Sequence, residues 1–280
     1  MYLCPRFYSY VMKRIFFYFF IIVIALPSCS QFEKLRKSTD YALKYRKAFE
    51  YYYAGDYVRA GQLFDDIQHI FRGTNKADTV AYYQAMSYFK QRDYFTSSHY
   101  FSRIFRDHRN SPFAEESEFL AGFCYYKLSP RPSLDQEHTY QAIEAFQIFM
   151  LRHPNSKFRE EAELHLAEMR DKLVDKSYMT AKLYYNLGQY KASITALNNS
   201  LDDYPETKHR EELKYLLLRS SFLLADNSVP ARKKERFQST VDEYYSFVGE
   251  FPQSTYLRDA QRMYERADNF LKARATGEEE

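Results

Sequence analysis

Small and apolar residues recur along this 280-residue chain with a helical spacing that repeats five times. Counted from five anchor positions, a small side chain stands three residues on, an aromatic residue or leucine seven on, and a mostly apolar residue ten on. These positions share one face of an α-helix, so each anchor marks an amphipathic helix whose small residues admit a neighbouring helix. The anchors are Tyr57, Tyr94, Thr139, Tyr190 and Phe237.

Each of these helices is followed by a stop signal and then by a hydroxyl. Pro154, Pro205 and Pro252 stand fifteen residues after their anchors, and proline does not continue a helix. Seventeen residues after the anchor, every copy has serine or threonine, which predicts the N-cap of a following helix. These hydroxyls belong to Thr74, Ser111, Ser156, Thr207 and Ser254.

A partner helix with its own apolar stripe precedes each anchor. In this helix a small residue is followed three and four positions later by two aromatic residues or leucines. The small residue allows another helix to approach closely. The small residues are Ala48, Ala85, Gly122, Ala181 and Ser220. One helix pair cannot bury its apolar face alone, so the pattern predicts an all-α solenoid of five stacked pairs.

The spacing between repeats predicts where this solenoid is irregular. About eight extra residues fall inside the third and fifth pairs, at 129–138 and 227–236, and one long helix is expected over 158–182. A closing helix with Tyr256, Met263 and Leu271 follows the fifth pair. We expect the repeat domain to cover 39–272 and the acidic tail 273–280 to fray.

Two short motifs indicate the repeat type. Ala48-x-x-Tyr51 and Gly55-Asp56-Tyr57 resemble the small–aromatic and Gly-Asp-Tyr signatures of tetratricopeptide repeats, although tryptophan is absent throughout. In such repeats the first helix of each pair lines the binding wall. The resemblance therefore implies a tetratricopeptide-repeat solenoid of five helix pairs plus a C-terminal closing helix.

The N-terminal residues resemble a targeting sequence. Lys13 and Arg14 precede an uncharged apolar run over 15–26, whose helix of about 18 Å is shorter than the roughly 30 Å bilayer core. We therefore predict a signal peptide over 1–28, with translation starting at Met12 rather than Met1. Leu26-Pro27-Ser28-Cys29 resembles the lipobox of bacterial lipoproteins, which implies that Cys29 carries several acyl chains, palmitate among them, and that 29–38 is a tether. A chance cysteine behind an ordinary signal peptide is the alternative.

Charge and composition narrow the function classes. With only 7 glycines and 9 prolines beside 28 tyrosines and 24 phenylalanines, a turn-rich β-sandwich is disfavoured. After residue 28, 37 basic residues balance 37 acidic ones, so the body lacks the long-range field that would favour nucleic acid as a ligand. Cys124 lies in an apolar stretch and is predicted to be an inert core thiol.

No motif in the chain predicts catalysis or a cofactor. Gly55 and Gly61 lack the Lys-Ser/Thr of a phosphate-binding loop, and no Gly-x-Ser-x-Gly or Cys-x-x-Cys sequence occurs. Glu161 and His165 share a helix face, but two ligands make a weak metal site and a surface hydrogen bond is favoured. We predict no enzyme activity, no metal and no cofactor. The basic run 232–236 is interpreted as a loop, either solvated or contacting lipid or an acidic partner.

The first helices of the pairs carry an aromatic stripe that predicts a peptide-binding groove. Aromatic rings with polar edges provide large contact area at low rotamer cost, and the first three pairs are the richest in them. Burial of these rings by neighbouring repeats is the alternative. The predicted groove residues are Tyr45, Phe49, Tyr52, Tyr82, Met86, Phe89, Phe119, Phe123 and Tyr126, and Tyr178 and Leu217 take the equivalent positions of the last two pairs.

The segments 163–190 and Asp203-Tyr204-Pro205-Glu206-Thr207 resemble the BamD family of outer-membrane assembly lipoproteins. The resemblance implies a non-enzymatic subunit of the β-barrel assembly machine on the periplasmic face of the outer membrane. It implies that repeats 1–3 bind the aromatic-ended C-terminal signals of unfolded outer-membrane proteins and that repeats 4–5 dock a BamA-type barrel translocase. Another periplasmic adaptor for cell-envelope or peptidoglycan assembly is the alternative, whereas a glycan-binding lipoprotein is disfavoured because the chain has no tryptophan.

Overall fold

The computed structural model describes residues 31–276. The predicted signal peptide over 1–28, the start at Met12, the lipidation residue Cys29 and residues 277–280 lie outside the described residues.

The described residues form helices joined by turns and loops, with no strand between residues 31 and 276. Five helix pairs and a last helix follow one another, which confirms the predicted all-α fold of tetratricopeptide-type pairs. The helices are 31–37 (α1), Tyr41–Tyr53 (α2), Tyr57–Phe71 (α3), Ala77–Lys90 (α4), Tyr94–Asp107 (α5), Ala114–Leu128 (α6), Glu137–Arg152 (α7), Arg159–Asn186 (α8), Tyr190–Asp203 (α9), Arg210–Asp226 (α10), Pro230–Glu250 (α11) and Leu257–Thr276 (α12).

The chain divides into two compact units, which we call the first and second units. The first contains the residues up to Leu128 together with Glu144–Ala162, and the second contains Ser129–Ile143 and the residues from Glu163 onward. In the first unit, each of α2 to α5 packs against the helix that follows it. In the second, α9 packs on α10, α10 on α11 and α11 on α12.

The turn inside a pair uses one residue in the left-handed backbone region. Gly55 has φ of 83° and Gly188 has φ of 70°, a conformation that glycine adopts without steric cost, whereas Arg92 takes the same place with φ of 64°. Asp56 and Asp93 then cap α3 and α5, each accepting a backbone N–H at 3.1 Å. Tight turns of this kind keep the two helices of a pair antiparallel.

The turn between pairs depends on the predicted hydroxyls. In all five copies the hydroxyl accepts the backbone N–H of the residue two positions on, at 3.0 to 3.3 Å. The predicted N-cap position is wrong, because the helix begins at the third residue after the hydroxyl and the N-cap is Lys76 in α4 and His209 in α10. The hydroxyl instead caps the turn that leads into the helix. The five hydroxyls are those of Thr74, Ser111, Ser156, Thr207 and Ser254.

The cores of both units consist of the predicted apolar stripes. In the first unit Phe64, Phe101 and Phe146 are fully buried, and in the second unit Leu197 and Phe247 are. The small positions explain the close helix contacts. A Cβ atom added at Gly122 would lie 3.2 Å from both the Ala145 side chain and the Phe146 ring, closer than ordinary packing allows.

Three segments differ from the expectations. Residues 31–37 of the predicted tether are helical, and Phe32 is buried against α2 and α3. The extra residues at 129–138 form a loop only as far as residue 136, and α7 begins at Glu137. In the tail, α12 continues to Thr276.

Only residues 227–229 of the predicted extra segment 227–236 form a loop, so the interpretation of the basic run 232–236 as a loop is wrong. Here α11 begins at Pro230, so the basic run 232–236 lies in its first turns. Proline is favoured in the first turn of a helix, and lysine and arginine are good helix formers. The extra residues therefore lengthen the helix to 21 residues. The long helix expected over 158–182 is confirmed as α8, which has 28 residues.

Candidate functional site

Two of the nine predicted groove residues belong to the core. Tyr82 is 8% exposed and its ring stacks on Phe113 at a centroid distance of 4.3 Å, while Phe119 is 3% exposed and stacks on Phe158 at 4.8 Å. Phe113 and Phe158 both follow the capping hydroxyl by two residues, so the turn between pairs supplies the ring that covers the stripe. For these two residues, burial by a neighbouring repeat is the correct interpretation.

The stacking contact recurs in all five pairs with chemically different partners. Tyr45 has the Lys76 ammonium 4.6 Å from its ring centre, Tyr178 stacks on His209 at 4.0 Å, and Tyr215 stacks on Tyr256 at 4.1 Å. Each pair thus has one ring, which we call the stacked ring, covered by the residue two positions after the hydroxyl. The stacked rings are Tyr45, Tyr82, Phe119, Tyr178 and Tyr215.

The stacked ring of the fifth pair corrects the sequence alignment. Leu217 was expected at this position, but it is buried in the core at 1% exposure, and Tyr215 makes the stacking contact. In the other pairs the small residue stands three positions after the stacked ring. The same count in α10, the helix that follows the hydroxyl of Thr207, gives Leu218 rather than Ser220. Ser220 approaches a different helix, with its hydroxyl 3.0 Å from that of Ser193 on α9.

The other predicted groove residues of α2 form a cluster around a tyrosine that the sequence did not single out. Tyr83 of α4 packs edge-on against Phe49 at 4.8 Å and against Tyr52 at 4.9 Å. Its hydroxyl lies 3.1 Å from that of Tyr53, whose side chain is 71% exposed. Tyr83 follows the stacked ring Tyr82 directly, and this aromatic pair in α4 was the available signal.

A second cluster links α4 and α6. The Phe89 ring lies 6.0 Å from that of Phe123, which stacks on Tyr126 at 5.5 Å. The ammonium of Lys127 lies 4.8 Å from the centre of the Phe123 ring and 5.1 Å from that of Tyr126. Met86 is half-buried against the core that contains Tyr82. These side chains keep part of their surface accessible, so a ligand could contact both ring faces and a cation.

The electrostatics of the first cluster keep its tyrosines neutral. The hydrogen bond with Tyr53, followed by desolvation, raises the pKa of Tyr83 to about 12. Burial is the main cause that raises the pKa of Tyr52 to about 12. Uncharged hydroxyls both donate and accept hydrogen bonds. The surface therefore suits an extended peptide, which presents apolar side chains together with backbone N–H and C=O groups.

Two depressions of the first unit lie elsewhere and share no residue with the predicted groove. One of about 410 Å³ is lined by Gln84, Tyr100 and Arg103. The other, of about 510 Å³, is lined by arginines and by Glu118, which accepts a hydrogen bond from Arg152 at 2.6 Å. Neither depression is lined by a residue of the two aromatic clusters.

The second unit surrounds its stacked rings with charge. Lys182 donates to the hydroxyl of Tyr178 and to the carboxylate of Glu212, both at 2.7 Å. In the next pair Arg219 donates to the hydroxyl of Tyr215 at 3.0 Å, and that hydroxyl donates to Asp259 at 2.7 Å. In both pairs the cation stands four residues after the stacked ring.

The remaining candidate positions are Cys124 and His165. Cys124 is fully buried, and desolvation raises the pKa of its thiol to about 12, which favours the unreactive form. His165 lies 3.6 Å from the carboxylate of Glu168, and no three His, Cys, Asp or Glu side chains come together as a metal site between residues 31 and 276. Within the same residues, no helix combines the length and the apolarity needed to cross a membrane.

Comparison of the sequence with known proteins identifies a family and several similar proteins. The YfiO family model, described as outer membrane lipoprotein, matches residues 38–224. The outer membrane protein assembly factor BamD of Rickettsia prowazekii is 24% identical over 152 residues, which is 54% of this chain and 56% of that protein. BamD of Neisseria gonorrhoeae is 22% identical over 226 residues, which is 77% of this chain and 81% of that protein.

The chain thus spans little more than half the length of the Rickettsia relative. Among solved structures, the TPR2AB domain of yeast Sti1 in complex with pHSP90 covers 81% of this chain and 98% of its own, at 14% identity. The TM-score of this similarity is 0.36.

Proposed function

The chain belongs to the YfiO family of outer membrane lipoproteins, and from this premise we propose that it is a non-enzymatic scaffold in the assembly of outer-membrane proteins. The family predicted from residues 163–190 is confirmed by a match that extends over 38–224. Relatives named BamD, an outer membrane protein assembly factor, support the role. We propose the roles of the two units from the contacts within each unit.

The aromatic clusters of the first unit bind the C-terminal, aromatic-ended segment of an unfolded outer-membrane protein. The carrying observation is that Phe49, Tyr53 and Tyr83 form one connected group of rings that ends in a largely exposed tyrosine. Aromatic rings on a ligand gain offset or edge contacts with such a group. Lys127, beside Phe123, provides a cation for the terminal carboxylate of a peptide.

The second unit docks the barrel translocase, and a lipid on Cys29 holds the protein at the periplasmic face of the outer membrane. Lys182 and Arg219 are held in place by Tyr178 and Tyr215, so their charges are oriented before a partner arrives. Preorganised charges favour a partner of complementary potential. Acyl chains on Cys29 would supply the membrane affinity, at about 0.8 kcal/mol for each buried methylene group.

A peptide titration tests the substrate site. The chain contains no tryptophan, so a synthetic peptide that ends in tryptophan is the only source of tryptophan fluorescence. We expect the double variant Tyr53→Ala and Phe123→Ala to weaken binding at least about tenfold, because each lost aromatic contact contributes on the order of 1 kcal/mol. Circular dichroism checks that the variant stays folded.

Tyr245→Ala is the matched control. Tyr245 is also an exposed tyrosine whose hydroxyl lies 3.1 Å from another, that of Tyr264, but it belongs to the second unit. It should leave the affinity unchanged. Equal weakening by Tyr245→Ala, or normal binding by the double variant, would contradict the aromatic site of the first unit.

Identification of the partner separates this proposal from its alternative. Affinity purification of the intact lipoprotein from a detergent extract should recover a BamA-type translocase. Recovery of a peptidoglycan enzyme instead would favour an adaptor for cell-envelope assembly. Loss of the translocase in a Lys182→Ala and Arg219→Ala variant would support docking through the second unit.

A further inference from the structure

Phe32, in the helix α1 that begins the described residues, packs against one end of the first helix pair. The Phe32 ring packs edge-on against Tyr51 at 5.6 Å, and the guanidinium of Arg59 lies 5.5 Å from its centre. Tyr51 and Arg59 flank the turn 54–56 that joins α2 to α3. Phe32 is 7% exposed, so its position is fixed by packing.

The short helix α1 runs away from this turn. Arg36, four residues after Phe32, donates to Asp66 at 3.4 Å, and Lys44 pairs with the same carboxylate at 3.7 Å. Asp66 lies in the second half of α3, about 10 Å along the helix axis from Arg59. The N-terminal end of α1 therefore lies at the end of the pair where the turn 54–56 lies, and its C-terminal end lies farther along α3.

The distance to the proposed anchor is short. Cys29 precedes Phe32 by three residues, and a fully extended chain spans at most about 3.6 Å for each residue. An acylated Cys29 would thus lie within about 11 Å of the Phe32 backbone. A bilayer that receives its acyl chains would be close to the turn 54–56.

The turns 54–56 and 91–93 lie at this end of the first unit, which we call the turn edge, and exposed apolar side chains stand beside them. Val58 at the start of α3 is 54% exposed, and Phe95 at the start of α5 is 69% exposed. The two turns are directly connected, because the Gln91 side chain donates to the backbone carbonyl of Tyr57 at 3.0 Å. The turn edge therefore presents an exposed apolar side chain at the start of both α3 and α5.

The charges at the turn edge suit a lipid surface. Its acidic residues Asp56 and Asp93 cap helices, and Asp56 also pairs with Arg59 at 3.1 Å. Lys90 and Arg92 are exposed and form no ion pair with another described residue. Cations near an anionic membrane surface each contribute on the order of 1 kcal/mol, and apolar side chains enter the interface beside them.

We infer that the turn edge of the first unit lies against the lipid surface to which Cys29 is anchored, with Val58 and Phe95 inserted at the interface. The inference rests on the lipid anchor of the proposed function. Exposure alone does not select this edge, because Ile70, near the other end of α3, is also 40% exposed. The position of Phe32 and the direction of α1 decide between the two ends.

Single tryptophans test the contact, since the natural chain has none. Val58→Trp, Phe95→Trp and Ile70→Trp are made separately in the full-length acylated protein. Each is bound to vesicles of phosphatidylcholine and phosphatidylglycerol, with bromine atoms on the acyl chains, and flotation establishes attachment. Ile70→Trp is the matched control, because it lies on the same helix as Val58 and about 18 Å away.

We expect quenching of Val58→Trp and Phe95→Trp at least about twofold stronger than that of Ile70→Trp, because interfacial side chains reach about 5–10 Å into the headgroup region. Equal quenching of all three, with normal flotation, would overturn the turn-edge contact and leave the lipid anchor and the peptide site intact. Failure of all variants and of the unsubstituted protein to float would overturn the anchor and the contact with it. If Val58→Trp does not fold by circular dichroism, Phe95→Trp against Ile70→Trp decides.

Discussion

The two units use the same helix position for opposite chemistry. Four residues after the stacked ring, the first unit has Phe49, Met86 and Phe123, whereas the second has Lys182 and Arg219. The backbone frame of hydroxyl, turn and stacked ring is the same in both. A repeat fold thus holds the geometry constant and lets one side chain decide whether the surface receives apolar or charged groups.

In the second unit, hydrogen bonds stabilise the charged side chains at this position, whereas the apolar side chains of the first unit need no such partners. Desolvation alone would raise the pKa of Glu212, but the hydrogen bonds from Lys182 and Tyr178 outweigh it and lower that pKa. A hydrogen bond from Tyr215 is the largest cause that lowers the pKa of Asp259. Both carboxylates therefore stay ionised at neutral pH and hold the neighbouring cations.

Truncation of the stacked rings should reveal the largest difference between the two units, measured as a loss in the free energy of unfolding. We expect Phe119→Ala to lower the free energy of unfolding by about 3–5 kcal/mol, because it removes a buried ring. Tyr178→Ala removes a half-buried ring and should cost about 1–2 kcal/mol. Urea unfolding followed by circular dichroism measures both, with the exposed Phe95→Ala as a control within about 0.5 kcal/mol. Equal losses would mean that the two rings are packed equally well.

Transfer of the cation tests whether one side chain defines the surface. Met86→Lys places an ammonium four residues after Tyr82, near Glu116, whose charge and hydrogen bond act on the Tyr82 hydroxyl. We expect the free energy of unfolding to change by less than about 1 kcal/mol, since the lysine stem covers apolar surface. The dissociation constant of the tryptophan-ended peptide should rise about tenfold.

The reverse substitution controls this experiment. Lys182→Met changes the second unit and should leave peptide affinity as it is. Unchanged affinity in Met86→Lys, or a similar loss in Lys182→Met, would argue against a peptide site confined to the first unit.

The smallest expected effect is the stabilisation by the Glu212 carboxylate, which acid should remove. The pKa of Glu212 is lower in the folded state, so its stabilisation is present above the unfolded pKa of about 4.3 and is lost as pH falls through the folded value. We expect Glu212→Gln to cost about 1 kcal/mol at neutral pH, after allowance for solvent screening. Thermal unfolding at neutral pH and at about pH 3 should show this difference shrinking. Glu235→Gln, at an exposed site, should show no difference at either pH.

Helix pairing was predictable because it depends on local spacing. The small residues Ala60, Ser97 and Ser193 recur three positions after their anchors, and all three are buried. The start of α11 was missed because extra length between two stripes does not distinguish a loop from an extended helix. Pro230, followed by lysines and arginines, was the overlooked signal.

The candidate site was less predictable because it depends on partners distant in sequence. Phe113 stacks on Tyr82 from 31 residues away, and Phe158 covers Phe119 from 39 residues away. The stripe alone therefore did not reveal which rings were already covered. Tyr83 was missed for the same reason, since its neighbours Phe49 and Tyr52 lie on another helix.

The sequence by itself determined the helix pairs, the breaks between successive pairs and the family, because helical periodicity, capping groups and breakers act over a few residues. Only the tertiary structure decided which rings are covered, that Tyr215 rather than Leu217 is the fifth stacked ring, and toward which end of the first pair α1 leads. Those outcomes depend on side chains brought together by the packing of one pair on the next, and no local pattern encodes them.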